Sequence, residues 1–387
     1  MIPKVHSLLV VVLFACGAFL SFPADARGDG KVVDVDLPKL KEDPKSISPP
    51  YVVEPIYGCA EAVRVRGFIP GAKVNVYVDG SHVAGVTGVN DHAGGMLVPV
   101  PALVPGQVVT ADQDLGGLVS AMSDPVVVRD HTVDFPHGLP MSRVYPPPVY
   151  ECGLATTSRY HVPGAWVEVF SQPHPGHGGY TLIGDRPTTI DWSEVKVGGP
   201  FVVGEAITTQ YLLCGDKSPM SAEVEVLPEP AVLSPPTVGA VYEGQTEFYV
   251  ADVVQGAVVT VFVNGNPVHQ EPSGWQGDYV VLPNPLSAGD KITTMQSLCS
   301  DSPKSPDISV IDCKFLPAPQ IATPRIGDTW VTVTSAVPGA RIRVYDGSLT
   351  EIGDGSGDRI YLYRPILPGD VLLVVQEVGG CEGSTGW

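Results

Sequence analysis

The chain has 387 residues, of which 43 are Gly and 39 are Pro, so about a fifth of the positions shape turns or break helices, and a mainly helical protein is excluded. Hydrophobic residues make up 44% and charged residues 17%, apolar enough for packed cores and unlike a disordered chain. The formal charge is -19, from 23 basic and 42 acidic residues. Phosphate backbones and anionic lipid surfaces repel such a chain, and nucleic acid is not an expected partner.

The first element is a leader. Met1 and Lys4 precede the apolar run Leu8-Leu9-Val10-Val11-Val12-Leu13-Phe14-Ala15, and Ala24-Asp25-Ala26 supplies small residues at its end, the layout of a secretory signal peptide over 1–26. Leu13-Phe14-Ala15-Cys16 loosely resembles a lipoprotein box, but Phe14 stands where such boxes hold a small or aliphatic residue. Lipid anchoring is therefore the lesser expectation, and an extracellular or cell-surface location the main one. No later apolar run approaches the roughly 18 to 20 residues that span a bilayer. Removing Cys16 leaves six of the 7 cysteines for an oxidising compartment. Arg27-Gly28-Asp29 spells an integrin tripeptide at the cleavage point, where it is read as coincidence, and an N-terminal arm over 27–51 follows.

Beyond the arm a motif of turn, Gly-Ala and alternating strand occurs four times. The copies are Pro70-Gly71-Ala72-Lys73-Val74-Asn75-Val76-Tyr77, Pro163-Gly164-Ala165-Trp166-Val167-Glu168-Val169-Phe170, Gln255-Gly256-Ala257-Val258-Val259-Thr260-Val261-Phe262 and Pro338-Gly339-Ala340-Arg341-Ile342-Arg343-Val344-Tyr345. Each is followed by a second motif of Gly, alternating apolar residues and Gln: Gly106 to Gln113, Gly204 to Gln210, Gly289 to Gln296 and Gly369 to Gln376. A third element, a Ser/Pro-rich turn and final strand, follows in three copies, ending at Val126-Val127-Val128, Val224-Glu225-Val226 and Ile308-Ser309-Val310-Ile311.

Alternation of period 2 broken by frequent turns predicts short antiparallel strands with one buried face. Repeats of this length suit two-sheet sandwiches, each able to hold its own core. Pro-rich linkers at 136–148, 227–230 and 316–319 predict stiff spacing. The expectation is an all-β chain of four sandwiches in an extended rod, with repeats over 52–135, 136–229, 230–312 and 313–387.

The order of Pro-Gly-Ala, Val-x-Val-Tyr, Gly-Asp, Gln and Ser-x-x-Val-x-Val resembles the tandem bacterial immunoglobulin-like domains of secreted and surface proteins, over about residues 52 to 387. The resemblance implies adhesive, stalk or spacer modules. Its motifs carry no chemistry.

No Gly-x-Ser-x-Gly, His-Glu-x-x-His, phosphate loop or dinucleotide fingerprint occurs, and with repeats filling the chain no catalytic residue, cofactor or metal is expected. Cys152 and Cys214 read as one disulfide within the second repeat, and Cys313 and Cys381 as another in the fourth. Cys59 and Cys299 are left over, to join distant repeats or two chains, or to show a different pairing, since six cysteines allow 15 connectivities.

His174-Pro175-Gly176-His177 offers two imidazoles without a third ligand, and reads as a surface loop. Asp354-Gly355-Ser356-Gly357-Asp358 spaces oxygens like a calcium loop but lacks the closing Glu, and reads as a hairpin turn. Tyr77, Phe170, Phe262 and Tyr345 share one position, out of phase with the core valines. They are candidate binding residues for a sugar or a protein surface, unless a neighbouring side chain covers them. The four recurring glutamines read as braces for an adjacent loop.

The last repeat stops without a final Val-x-Val, while Lys31-Val32-Val33-Asp34-Val35-Asp36-Leu37-Pro38 reads like the last strand and linker of a preceding repeat. Segment 31–37 of one molecule could therefore complete the fourth repeat of the next, head to tail. The expected function is a secreted or surface structural or adhesive protein with a protein or glycan partner. A carbohydrate-binding array and a self-assembling subunit are the alternatives, and a secreted hydrolase is the least expected.

Overall fold

A computed structural model describes residues 46–87, 95–176 and 179–382. The leader, Arg27-Gly28-Asp29, segment 31–37 and His177 lie outside the described residues. Among the described residues no helix is long and apolar enough to cross a membrane.

The chain is all-β, as its alternation predicts. In Lys73–Val78, Val74, Val76 and Val78 are buried while Lys73, Asn75 and Tyr77 are not. The turn before each such strand needs its glycine: Gly71, Gly164, Gly256 and Gly339 have φ of 84°, 88°, 87° and 73°, a region that side chains with a Cβ rarely adopt. The alanine that follows each glycine is buried at the start of its sandwich.

Two sheets enclose a core in each repeat. In the first, Tyr51–Val52, Ala62–Arg66 and Met96–Pro99 face a sheet built on Ser81–Thr87, Lys73–Val78 and Val108–Leu115. In the second, Arg143–Val144, Ala155–Arg159 and Trp192–Lys196 face Thr181–Pro187, Trp166–Gln172, Ala206–Leu213 and Val224–Leu227. In the third, Thr237–Val238, Glu247–Ala251 and Gly277–Val281 face Asn266–Pro272, Val258–Val263, Lys291–Ser297 and Ile308–Ser309. In the fourth, Gln320–Ile321, Trp330–Ser335 and Arg359–Tyr361 face Glu351–Ser356, Arg341–Tyr345, Leu373–Val378 and Cys381–Glu382. Four separate apolar clusters fill these sandwiches. Each fully buried valine contributes about 1.5 to 3 kcal/mol, so these cores outweigh any single polar contact.

The extended rod is overturned. Ser48 Oγ donates to the Tyr361 carbonyl at 2.6 Å and accepts from the Asp354 N–H at 2.8 Å. Ser356 Oγ donates to the Phe68 carbonyl, and Tyr51 OH donates to Asp358 Oδ1 at 2.9 Å. The fourth repeat thus folds back onto the first. Stiff local linkers do not prevent this, because the chain turns at each junction and the two end repeats present complementary polar edges.

Candidate functional site at the repeat junctions

The disulfides are built across the junctions. Cys59 is bonded to Cys214, and Cys152 to Cys299, each pair with Cα atoms 5.2 Å apart. The expected Cys152–Cys214 bond is therefore corrected. An early cysteine of one repeat meets the late cysteine of the following repeat, because successive sandwiches pack the early turn of one against the late turn of the next. The third bond joins Cys313 to Cys381. The carboxylate of Glu243 stands beside it, with the three ligand-type atoms within 4.8 Å of one another, but the sulfurs are bonded to each other and offer no thiolate.

Each stapled junction is close because small residues line it. A Cβ on Gly164 would lie 2.8 Å from the Ala60 Cβ, and one on Gly256 would lie 2.9 Å from the Gly153 Cα. Between the first and second repeats Arg64 Nε donates to Thr189 Oγ1 at 2.8 Å. His131, on the short helix His131–Asp134, meets Asp216 Oδ2 at 2.9 Å. Tyr57 OH donates to Asp134 Oδ2, and burial followed by that bond pushes the phenol up to about 12.

Between the second and third repeats Leu154 N–H donates to the Gly256 carbonyl at 2.9 Å and Thr157 Oγ1 to the Gly274 carbonyl at 2.8 Å. Lys196 pairs with Glu271. The Arg159 guanidinium lies 5.1 Å and 5.2 Å from the ring centres of Tyr145 and Trp275, a geometry suited to cation–π attraction.

A cavity of about 210 Å3 opens where the first three repeats meet, lined among others by Arg64, Arg186, Trp192, Glu194, Asp278 and Tyr279. Its cations are held in place: Arg186 Nη1 donates to the Glu194 carbonyl at 2.7 Å, and Arg64 Nη1 to the Gly95 carbonyl at 3.1 Å. Burial, and then the nearby Asp278 carboxylate, push Glu194 up to about 7. The lining mixes both charge signs with an aromatic wall. Sequence reasoning did not foresee it, since its residues come from three repeats.

The aromatic row is not a continuous exposed surface. Tyr345 is fully buried with Leu373 and Val375. Tyr77, Phe170 and Phe262 are half-buried on the face opposite the core valines. Tyr77 OH donates to Asp112 Oδ2 at 2.8 Å, and Lys304 Nζ covers Phe262 at 3.6 Å from its ring centre.

Three glutamines brace loops as expected. Gln113, Gln296 and Gln376 each accept from the backbone N–H of a turn, Ile69, Val254 and Val337 respectively, and each donates to a linker carbonyl, of Ser48, Ser234 and Pro317. Gln210 does not. In the second repeat the residue opposite Val167 is Tyr211, as Gln113 is opposite Val74. Tyr211 is buried without a hydrogen bond on its hydroxyl, and burial pushes the phenol well up.

Asp354 and Asp358 form no calcium loop. Asp354 is buried on the strand Glu351–Ser356 and pairs with Arg341, while Asp358 binds Tyr51 and Arg66 of the first repeat. His174 is exposed.

No family model matches the chain, and no curated protein matches it in sequence. Among solved structures it is similar to the FN1-FN3 domains of chicken CNTN1, at 13% identity over 68% of this chain and 99% of that one, with a TM-score of 0.17. A biofilm associated protein BSP domain matches at 10% identity over 88% and 95%, with a TM-score of 0.22. Fibronectin(III)-like modules of Clostridium thermocellum CbhA match at 15% identity over 44% and 95%, with a TM-score of 0.17. At these scores the whole-chain superpositions are poor, and the fold class rests on the chain's own sheets.

Proposed function

We propose that the protein is an exported, non-catalytic structural or adhesive protein, in which tandem immunoglobulin-like repeats of the bacterial type are locked into a closed array instead of a rod. The observation that carries this reading is the pair of disulfides across successive junctions, Cys59–Cys214 and Cys152–Cys299. Such bonds persist in oxidising compartments and fix relative domain orientation, which a spacer or adhesive body under load requires and an enzyme of one domain does not. The leader-like residues 1–26 support export.

A protein or glycan at the cell surface is the expected partner. A four-residue stacking row is not available to it, because Tyr345 is buried. Fractionating expressing cells and alkylating thiols before lysis tests the reading. The chain is expected in the surface or extracellular fraction with all six remaining cysteines unreactive, and recovery as a reduced intracellular protein would overturn it.

A further inference from the structure

In the first three repeats the last strand closes the sandwich with the same two backbone bonds. Gly106 N–H donates to the Val128 carbonyl and Val128 N–H to the Gln107 carbonyl, both at 2.8 Å. Gly204 and Glu205 bond Val226 in the same way, as do Gly289 and Asp290 with Val310. The corresponding pair in the fourth repeat is Gly369 and Asp370, and among the described residues no strand reaches them from that side. The neighbouring strand is shortened accordingly. Val108–Leu115, Ala206–Leu213 and Lys291–Ser297 each begin two residues after their glycine, whereas Leu373–Val378 begins four after Gly369. Val371 and Leu372 are therefore an open sheet edge, although Leu372 is buried in the core.

The chain's own N-terminal side arrives beside this sheet. Ser48 is clamped to Asp354 and Tyr361 of the fourth repeat. Asp354 lies on Glu351–Ser356, and the sheet order places Arg341–Tyr345 and then Leu373–Val378 beyond it. The open edge is thus three strand spacings away, about 15 Å. Ten residues separate Leu37 from Ser48, and that length extended covers about 30 Å. The sequence fits the gap. Val33-Asp34-Val35 matches Val126-Val127-Val128, Val224-Glu225-Val226 and Ile308-Ser309-Val310. From Val35 to the following strand at Tyr51 is 16 residues, against 15, 11 and 10 from Val128, Val226 and Val310 to Arg143, Thr237 and Gln320.

We propose that residues 31–37 complete the fourth repeat of their own chain, with Val35 standing where Val128, Val226 and Val310 stand. Val35 C=O accepts from Gly369 N–H, and Val35 N–H donates to Asp370 C=O. Asp34 lies opposite Val371, as Val127 lies opposite Val108. The N-terminal segment then latches the last repeat while the first repeat rests on it, and the array is closed twice. The fold-back makes the donor intramolecular, in place of head-to-tail exchange, because the tether is short and its local concentration high.

The test uses residues 27–387. An Asp34→Cys/Val371→Cys variant is oxidised, sized by light scattering and mapped by mass spectrometry. A 34–371 link within a monomer is expected. A link found only between chains makes a second copy the donor and overturns the proposal, as does no link at all. Hydrogen exchange gives an independent reading on the wild-type cysteines: Gly369 and Leu372 amides are expected to be protected, and to exchange at least tenfold faster in Val35→Pro, which lacks the N–H that binds Asp370. Unprotected amides in the wild type, or rates unmoved by Val35→Pro, would also overturn it.

Discussion

The two stapled junctions and the fold-back contact hold the array in different ways. At the first, backbones approach through Ala60, Gly164, Gly153 and Gly256, side-chain bonds such as Arg64–Thr189 and Thr157–Gly274 flank the approach, and a covalent bond fixes the geometry. At the second, no disulfide joins the repeats, and the contact is a set of directed polar bonds from Ser48, Tyr51, Arg66 and Phe68 to Ser356, Asp358 and Tyr361, with Arg359 lying 5.1 Å and 5.0 Å from the Tyr51 and Trp330 ring centres. The stapled junctions cannot separate without breaking a covalent bond, whereas the fold-back contact can open and close by exchanging hydrogen bonds with water.

The sharpest way to break that comparison is to remove the staples. Replacing Cys59 and Cys214, or Cys152 and Cys299, by Ala releases loops of 155 and 147 residues, for which chain entropy gives about 5 kcal/mol each. A large fall in the denaturant midpoint is expected, with a larger radius of gyration by small-angle scattering. An unchanged midpoint and radius would show that the glycine contacts suffice alone.

The fold-back contact should yield to a smaller wedge. A Cβ on Gly355 would lie 2.8 Å from the Gly67 carbonyl oxygen, so Gly355→Val is expected to cost about 1 to 3 kcal/mol and to separate the end repeats. Scattering should then report expansion with both staples intact. At the stapled junction Gly274→Val meets the Thr156 backbone at 2.8 Å, and should lower the midpoint with little expansion.

Within repeats, Gln113→Ala removes a buried brace that joins Ile69 to Ser48. It is expected to cost about 1 to 3 kcal/mol by chemical denaturation, against about 0.5 to 1 kcal/mol for Gln210→Ala, which loses one bond to the Ser218 carbonyl at a half-buried site.

Stability also depends on pH. Glu194 is raised from 4.5 to about 7, first by burial and then by Asp278. The folded state therefore holds this proton more tightly than the unfolded one. Its contribution is full below about 4.5 and is lost as pH rises to about 7. Glu194→Gln should flatten the stability curve in that window by about 3 kcal/mol, as read from midpoints at pH 4.5 and 7.5. Glu351, also raised to about 7 by burial and by Asp354, remains as the internal reference.

Sheet class, turn glycines and core valines were legible because alternation and Pro-Gly-Ala are local signals. The slip in the second repeat was legible too. Gly204 to Gln210 spans one residue fewer than Gly106 to Gln113, and one residue in a strand turns the side chain to the other face, leaving Tyr211 inside. The disulfides could also have been read. Early cysteines in the first and second repeats and late ones in the second and third pair without remainder when shifted by one repeat. The fold-back could not, since Ser48, Phe68 and Asp358 carry no pattern that links residues about 300 apart in sequence, and the junction cavity draws on three repeats for the same reason.

The interleaving of Cys59–Cys214 with Cys152–Cys299 has a consequence for biosynthesis. A chain crossing a membrane N-terminus first presents Cys59 and then Cys152, and oxidation in order of emergence joins those two, a pair that the folded molecule does not contain. Cys59 has to stay reduced until its partner emerges 155 residues later, or the first bond has to be exchanged by a thiolate. Under the proposed export, yield of the native protein is expected to follow disulfide isomerase activity more than oxidant supply.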